Sequence, residues 1–121
     1  MPPIKLSDAE IAERLTALPH WRHEAGAIRR TYRTFGWKST LMLVTTIGHL
    51  AEAAWHHPEL HVTYTGVEVA LNTHDADGIT ALDFALAKKM EEVICWQPNK
   101  EDGILPGTPQ TPEYVYIRYD T

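Results

Sequence analysis

Apolar residues along the chain follow two periods, one helical and one alternating, and the switches between them mark out the elements. Ser7-Asp8-Ala9-Glu10 is a capping-box pattern, serine followed three positions later by glutamate. Ile11, Leu15 and Leu18 then recur at helical spacing, and Pro19 ends this first helix. Trp21 to Glu24 and Ile28 to Phe35 read as two strands, with Ala25-Gly26-Ala27 turning between them. Gly36 breaks the pattern. From about Lys38 to Trp55 runs the longest helical candidate. Leu41, Val44, Gly48, Ala51 and Trp55 form one stripe, and Leu43, Ile47, Leu50 and Ala54 lie beside it. So wide an apolar face suits a helix packed on a sheet. His56-His57-Pro58 closes it, because proline restricts its predecessor and cannot continue the ladder.

A second strand pair follows, about His61 to Tyr64 and Val67 to Thr73, with Thr65-Gly66 as the turn. Val67, Val69, Leu71 and Thr73 share one face; Glu68, Ala70, Asn72 and His74 share the other. Asp75 to Gly78 is a loop. Thr80 caps a third helix with Asp83 in its first turn, and Leu82, Leu86, Met90, Val93 and Ile94 are its expected apolar face. The order α, β-β, α, β-β, α predicts an α+β fold, helices covering one face of an antiparallel sheet. After Trp96 the texture changes: prolines 98, 106, 109 and 112 mark an extended tail ending in the strand-prone run Tyr114 to Tyr119. Residues 1–96 are therefore expected to form the domain and 97–121 an extension with an edge strand, packed on its own chain or on another subunit, because such a strand left open invites aggregation.

Composition narrows the function. The chain has 121 residues, one domain's worth, and a net charge of −5. That balance argues against nucleic acid as the partner, since phosphate neutralisation needs clustered Lys and Arg. The densest basic group, Arg29, Arg30 and Arg33, is expected on the exposed face of a strand. The single cysteine, Cys95, suits a reducing cytoplasm and is expected as a packed thiol. No run of about 18 apolar residues exists, so no membrane role is expected.

Three of the seven histidines, His56, His57 and His74, concentrate within nineteen residues. Two stand at a helix end and one at a strand end, where a rigid scaffold can hold converging side chains. Histidine titrates near neutral pH, so this cluster suits proton transfer. Glu52, one helical turn before His56, and Asp83, at the next helix start, are candidates to orient an imidazole. Adjacent histidines tend to diverge, and no HxH or HExxH spacing accompanies them, so the pattern does not point to a metal. His20, His23 and His49 are assigned to the surface or to packing.

Glu52-Ala-Ala-Trp-His56-His57-Pro58-Glu59, then Leu71-Asn-Thr73-His74, then Gly78-Ile-Thr-Ala-Leu-Asp83 resembles the signature of the pterin-4a-carbinolamine dehydratase family. The resemblance spans about Leu6 to Trp96. It implies a four-stranded antiparallel sheet with helices on one face, assembled as a homodimer or homotetramer, that dehydrates 4a-hydroxytetrahydropterin to quinonoid dihydropterin without cofactor or metal. It also implies roles: His56 and His74 as acid–base pair, His57 as catalytic or pterin-positioning, and Glu52, Pro58, Thr73, Asp75 and Asp83 as substrate-binding or tuning residues. Many members carry Asp or Asn where this chain has Trp55. A second reading is a non-catalytic assembly factor of the same fold, like those serving ribulose bisphosphate carboxylase, with the tail touching a protein partner. Retention of His56, His57 and His74 speaks against it.

Overall fold

The protein is described here by a computed structural model covering residues 2–101 and 103–119; Met1, Asp102, Asp120 and Thr121 lie outside the described residues. Ser7 opens α1 (Asp8–Leu15), its hydroxyl accepting from Glu10 N while the Glu10 carboxylate accepts from Ser7 N. Hydrogen bonding from the Ser7 backbone, then from its side chain, holds the Glu10 carboxyl below the usual carboxylate value. The helix stops at Leu15, before Pro19, as the Thr16 hydroxyl bonds back to Glu13 O. β1 (Arg22–Glu24) and β2 (Ala27–Thr34) form a hairpin through Ala25 and Gly26, both at positive φ, as a tight two-residue loop favours. α2 (Trp37–Ala54) leads to β3 (Glu59–Thr63) and β4 (Gly66–Leu71). The turn between these strands is Tyr64-Thr65 rather than Thr65-Gly66. Gly66 is already paired with Thr63, and a Cβ there would stand 3.1 Å from Tyr32 O. Glycine therefore serves a close approach between strands, not the turn. A 3-10 turn (His74–Ala76) precedes α3 (Ala81–Ile94), and β5 (Ile117–Arg118) closes the fold.

The sheet is antiparallel in the order β1-β2-β4-β3. β5 adds a short fifth strand beside β2 at Arg33 and Thr34, beyond the end of β1. The expected Tyr114 to Tyr119 strand thus shrinks to two residues, and they pair within the chain. The architecture is α+β, with three α-helices and an antiparallel sheet among the described residues.

The inward faces of β2 and β4 oppose Ile28 with Leu71, Arg30 with Val69 and Tyr32 with Val67. Arg30 accordingly lies within the core at 1% exposure, not on the outer face with Arg29 and Arg33; strand alternation separates neighbours. Burying a guanidinium costs several kcal/mol unless it is paired. Glu91 of α3 supplies the charge, its Oε1 3.0 Å from Arg30 Nε, although Nε and Nη1 lack hydrogen-bond alignment with any partner. The same oxygen accepts from Trp21 Nε1 (2.7 Å) and Tyr32 OH (3.0 Å), and Arg30 stacks over the Tyr32 ring. Burial, then the Glu91 charge, pushes the Tyr32 phenol far above its ordinary value and the half-buried Cys95 thiol to about 12.

α2 gives the core Leu43, Ile47 and Ala51; Leu41, Gly48 and Trp55 of the expected stripe are exposed. On α3 the buried apolar set is Phe84, Leu86, Ala87, Met90 and Ile94, while Leu82 and Val93 face outward. Each fully buried aliphatic side chain contributes about 1.5–3 kcal/mol. The two helices pack together over the sheet. Among the described residues no helix is long and apolar enough to cross a membrane.

Candidate active site

α2 ends in a Schellman motif, with His56 N donating to Ala51 O (3.1 Å) and Trp55 N to Glu52 O (3.2 Å). Trp55 sits at the left-handed position of the motif, φ 52° and ψ 46°. A side chain larger than glycine costs about 1–2 kcal/mol there. The reversal carries the chain off the helix axis, and Pro58 keeps it extended into β3. His56 is thereby returned toward α3.

His56 Nε2 lies 2.6 Å from Asp83 Oδ1, with the His56 side chain 15% exposed and Asp83 wholly buried. Asp83 Oδ2 accepts from Thr73 Oγ1 and from Thr80 N, each at 2.9 Å. The Thr73 and Thr80 hydroxyls also meet at 2.8 Å. Both carboxylate oxygens are thus engaged by protein groups. With Asp83 ionised, Nε2 must carry the shared proton, leaving Nδ1 as the other ring position. Asp83, expected as a substrate-binding residue or as one that orients an imidazole, presents no oxygen to the surface and holds His56.

Glu52 does not reach His56. Its carboxylate lies 2.7 Å from His57 Nε2, and both side chains are exposed. The Trp55 indole meets the His57 ring edge-on, centroids 5.1 Å apart at 83°. His74 stands exposed at the start of the 3-10 turn after β4, with Asp75 exposed beside it. The turn is closed by Thr73 N donating to Gly78 O at 2.8 Å and by Asp77 in the left-handed region.

His74 and His56 line different cavities. The first, about 350 Å³, has Asn72, Thr73 and His74 on one side and Lys5 and His23 on the other. The second, about 450 Å³ and mostly apolar, sets His56 beside Leu50, Ala53, Leu82 and Lys89. The Thr73–Asp83 hydrogen bond joins them. The sequence placed Thr73 among the substrate-binding or tuning residues without showing the partners of its hydroxyl. The signal was there: a threonine continuing the apolar face Val67, Val69, Leu71 needs a buried partner. Lys5 and His23 carried no comparable signal, since they reach the cavity only through the packing of the N-terminal segment and β1. Among the described residues no group of three or more His, Cys, Asp or Glu side chains is arranged to hold a metal ion.

Fold and site together define a small α+β protein with a histidine locked to a buried carboxylate where α2, β4 and α3 meet. The chain belongs to the family described as Pterin 4 alpha carbinolamine dehydratase, which it matches over residues 4–93. A protein of Chloroflexus aurantiacus named "Putative pterin-4-alpha-carbinolamine dehydratase" is 46% identical over 90 residues, 74% of this chain and 97% of that one. A protein of the same name from Aquifex aeolicus is 42% identical over 90 residues, covering 74% and 91%. The crystal structure titled as a transcriptional coactivator/pterin dehydratase from Brucella melitensis superposes with a TM-score of 0.68 at 32% identity, covering 72% of this chain and 95% of that chain.

Proposed function

We propose that this protein dehydrates a 4a-hydroxytetrahydropterin to quinonoid dihydropterin and water, in tetrahydropterin recycling. The C4a–O bond breaks as a proton reaches the departing hydroxyl oxygen. N5 gives up its proton, and the electron pair of that N–H bond closes the C4a=N5 double bond. No electrons enter or leave, so two groups that pass protons near neutral pH meet the need. His56 and His74 are the acid–base pair in this reading, His57 positions the pterin, and Glu52 steadies His57. The hydrogen-bonding edge of the pterin lies along the Thr73-His74-Asp75 backbone, with Pro58 at the margin, so that the ring system reaches both histidines across the Thr73–Asp83 bridge.

The observation that carries the reading is the 2.6 Å contact between His56 and a carboxylate with no solvent exposure. A carboxylate so placed fixes the orientation and tautomer of the imidazole ring. Turnover of freshly generated 4a-hydroxytetrahydropterin, followed by absorbance against the uncatalysed rate, tests it. Wild type should clearly exceed the spontaneous rate, and His74→Ala and His56→Ala should fall to or near it. A folded wild-type protein giving no acceleration overturns the proposal.

The enzyme is further proposed to act in the cytoplasm as a homodimer or homotetramer. Two features support assembly. β3 is a sheet edge with exposed residues along most of its length. The outer surfaces of α2 and α3 leave Trp37, Leu41, Met42, Leu82 and Val93 open to solvent.

A further inference from the structure

We propose that Trp55 is a substrate-contacting residue of this site, an aromatic wall against which the fused ring of the pterin stacks; the inference rests on the dehydratase reading above. Trp55 is 77% exposed, against 5% for Trp21, 48% for Trp37 and 50% for Trp96. Its backbone occupies the left-handed position that ends α2, where glycine or asparagine fits with least strain. An indole there strains the backbone and buries little surface in return, so stability of the fold does not explain it. Strain of this kind persists where the site makes use of it.

The ring is also held in place. It meets His57 edge-on, and His57 is tied through Nε2 to Glu52. The next residue is His56, gripped by Asp83. The indole therefore stands directly before the two histidines in the chain, in ring contact with the second of them. Flat fused heterocycles are well suited to such a surface, since the π-face of tryptophan gives contact area without demanding a hydrogen bond. The reaction adds a reason. Loss of the hydroxyl turns C4a from tetrahedral to trigonal and flattens the bicycle, so contact with an aromatic wall grows along the reaction path. Trp55 would then act on kcat as well as on KM.

The test uses Trp55→Gly and Trp55→Phe in the full chain, with four readouts: affinity for biopterin by calorimetry, kcat and KM for the carbinolamine, melting temperature, and mass by light scattering. Trp55→Gly should bind biopterin about tenfold more weakly, the scale of one lost stacking contact. It should lose kcat as well, and its melting temperature should not fall. Trp55→Phe should restore affinity to within about threefold. Trp55→Asn, also at ease in this backbone region, repeats the test should the glycine variant not fold. Unchanged biopterin affinity in a folded Gly or Asn variant overturns the proposal while leaving the dehydratase reading standing. So does a change of mass with affinity unchanged, which makes Trp55 a subunit contact. A wild-type protein that neither binds biopterin nor accelerates dehydration overturns both.

Discussion

His56 Nε2 and Asp83 Oδ1 stand 2.6 Å apart, and the opposite oxygen of the same carboxylate takes hydrogen bonds from the Thr73 hydroxyl and the Thr80 backbone. One side chain thus caps α3, fastens the end of β4 to it and aims an imidazole. Stability and chemistry share a residue, so a change at Asp83 should register in both.

Asp83→Asn keeps the shape and removes the charge. We expect kcat to fall about 100-fold, the usual scale for a disabled proton-transfer group. Unfolding free energy should drop by about 1–3 kcal/mol, because a buried hydrogen-bonded network loses an acceptor. His74→Ala should lose as much turnover with a stability change within about 0.5 kcal/mol, since His74 is exposed. Steady-state rates paired with urea titrations check both, and an Asp83→Asn variant with full kcat would refute the assigned role.

Arg30 and Glu91 make a second buried commitment, unrelated to the histidines. Glu91→Ala leaves a guanidinium at 1% exposure without its counter-charge and should cost about 3–5 kcal/mol. Arg30→Met combined with Glu91→Leu removes both charges and should recover most of that loss. Denaturant midpoints of the single and double variants decide the matter.

On the outer face of the sheet, hydrogen bonds from Arg22, then Arg29, hold the Glu68 carboxyl below its ordinary value of 4.5. A depressed carboxylate stabilises the fold in full above its unfolded-state value, and the contribution is lost as pH falls through the folded-state value. Glu68→Gln should therefore be less stable than wild type at pH 7, by about 0.2–1 kcal/mol given its partial exposure. The gap should close below pH 4.5 and shrink in high salt. A gap that widens in acid would contradict the assignment.

Ile117 of β5 is buried, and Tyr116 and Tyr119 pack against the core beside it. Ile117→Ala should cost about 2–4 kcal/mol. Removing residues 97 onward should also bare the β2 edge at Arg33 and Thr34, producing concentration-dependent self-association by light scattering. The dehydration rate per folded molecule should be unchanged, because the two cavities that tail residues line contain no site histidine.

Much of the local structure was legible in the sequence. The Ser7–Glu10 capping box and the Thr80 cap formed as the spacing indicated, because a cap is satisfied within three residues; that Asp83 completes a second box is seen only in the structure. The inward face of β4 followed its alternation. The faces of α2 and α3 were less legible. Leu41, Leu82 and Val93 are as apolar as Leu43 and Leu86, and only the position of the sheet decides which of them is covered.

The sequence by itself determined the elements, their order and the nearness of His56, His57 and His74 to element ends, since those depend on periods and breaks a few residues long. The tertiary structure decided which carboxylate serves which histidine. Glu52, one helical turn from His56, pairs with His57 because the left-handed backbone at Trp55 swings His56 away. Asp83, 27 residues from His56, grips it because α3 packs alongside α2. It also decided that Arg30 is internal and neutralised by Glu91, 61 residues away in the chain. Hydrogen bonds and ion pairs act over a few ångströms, and for distant parts of a chain only packing sets which groups come that close.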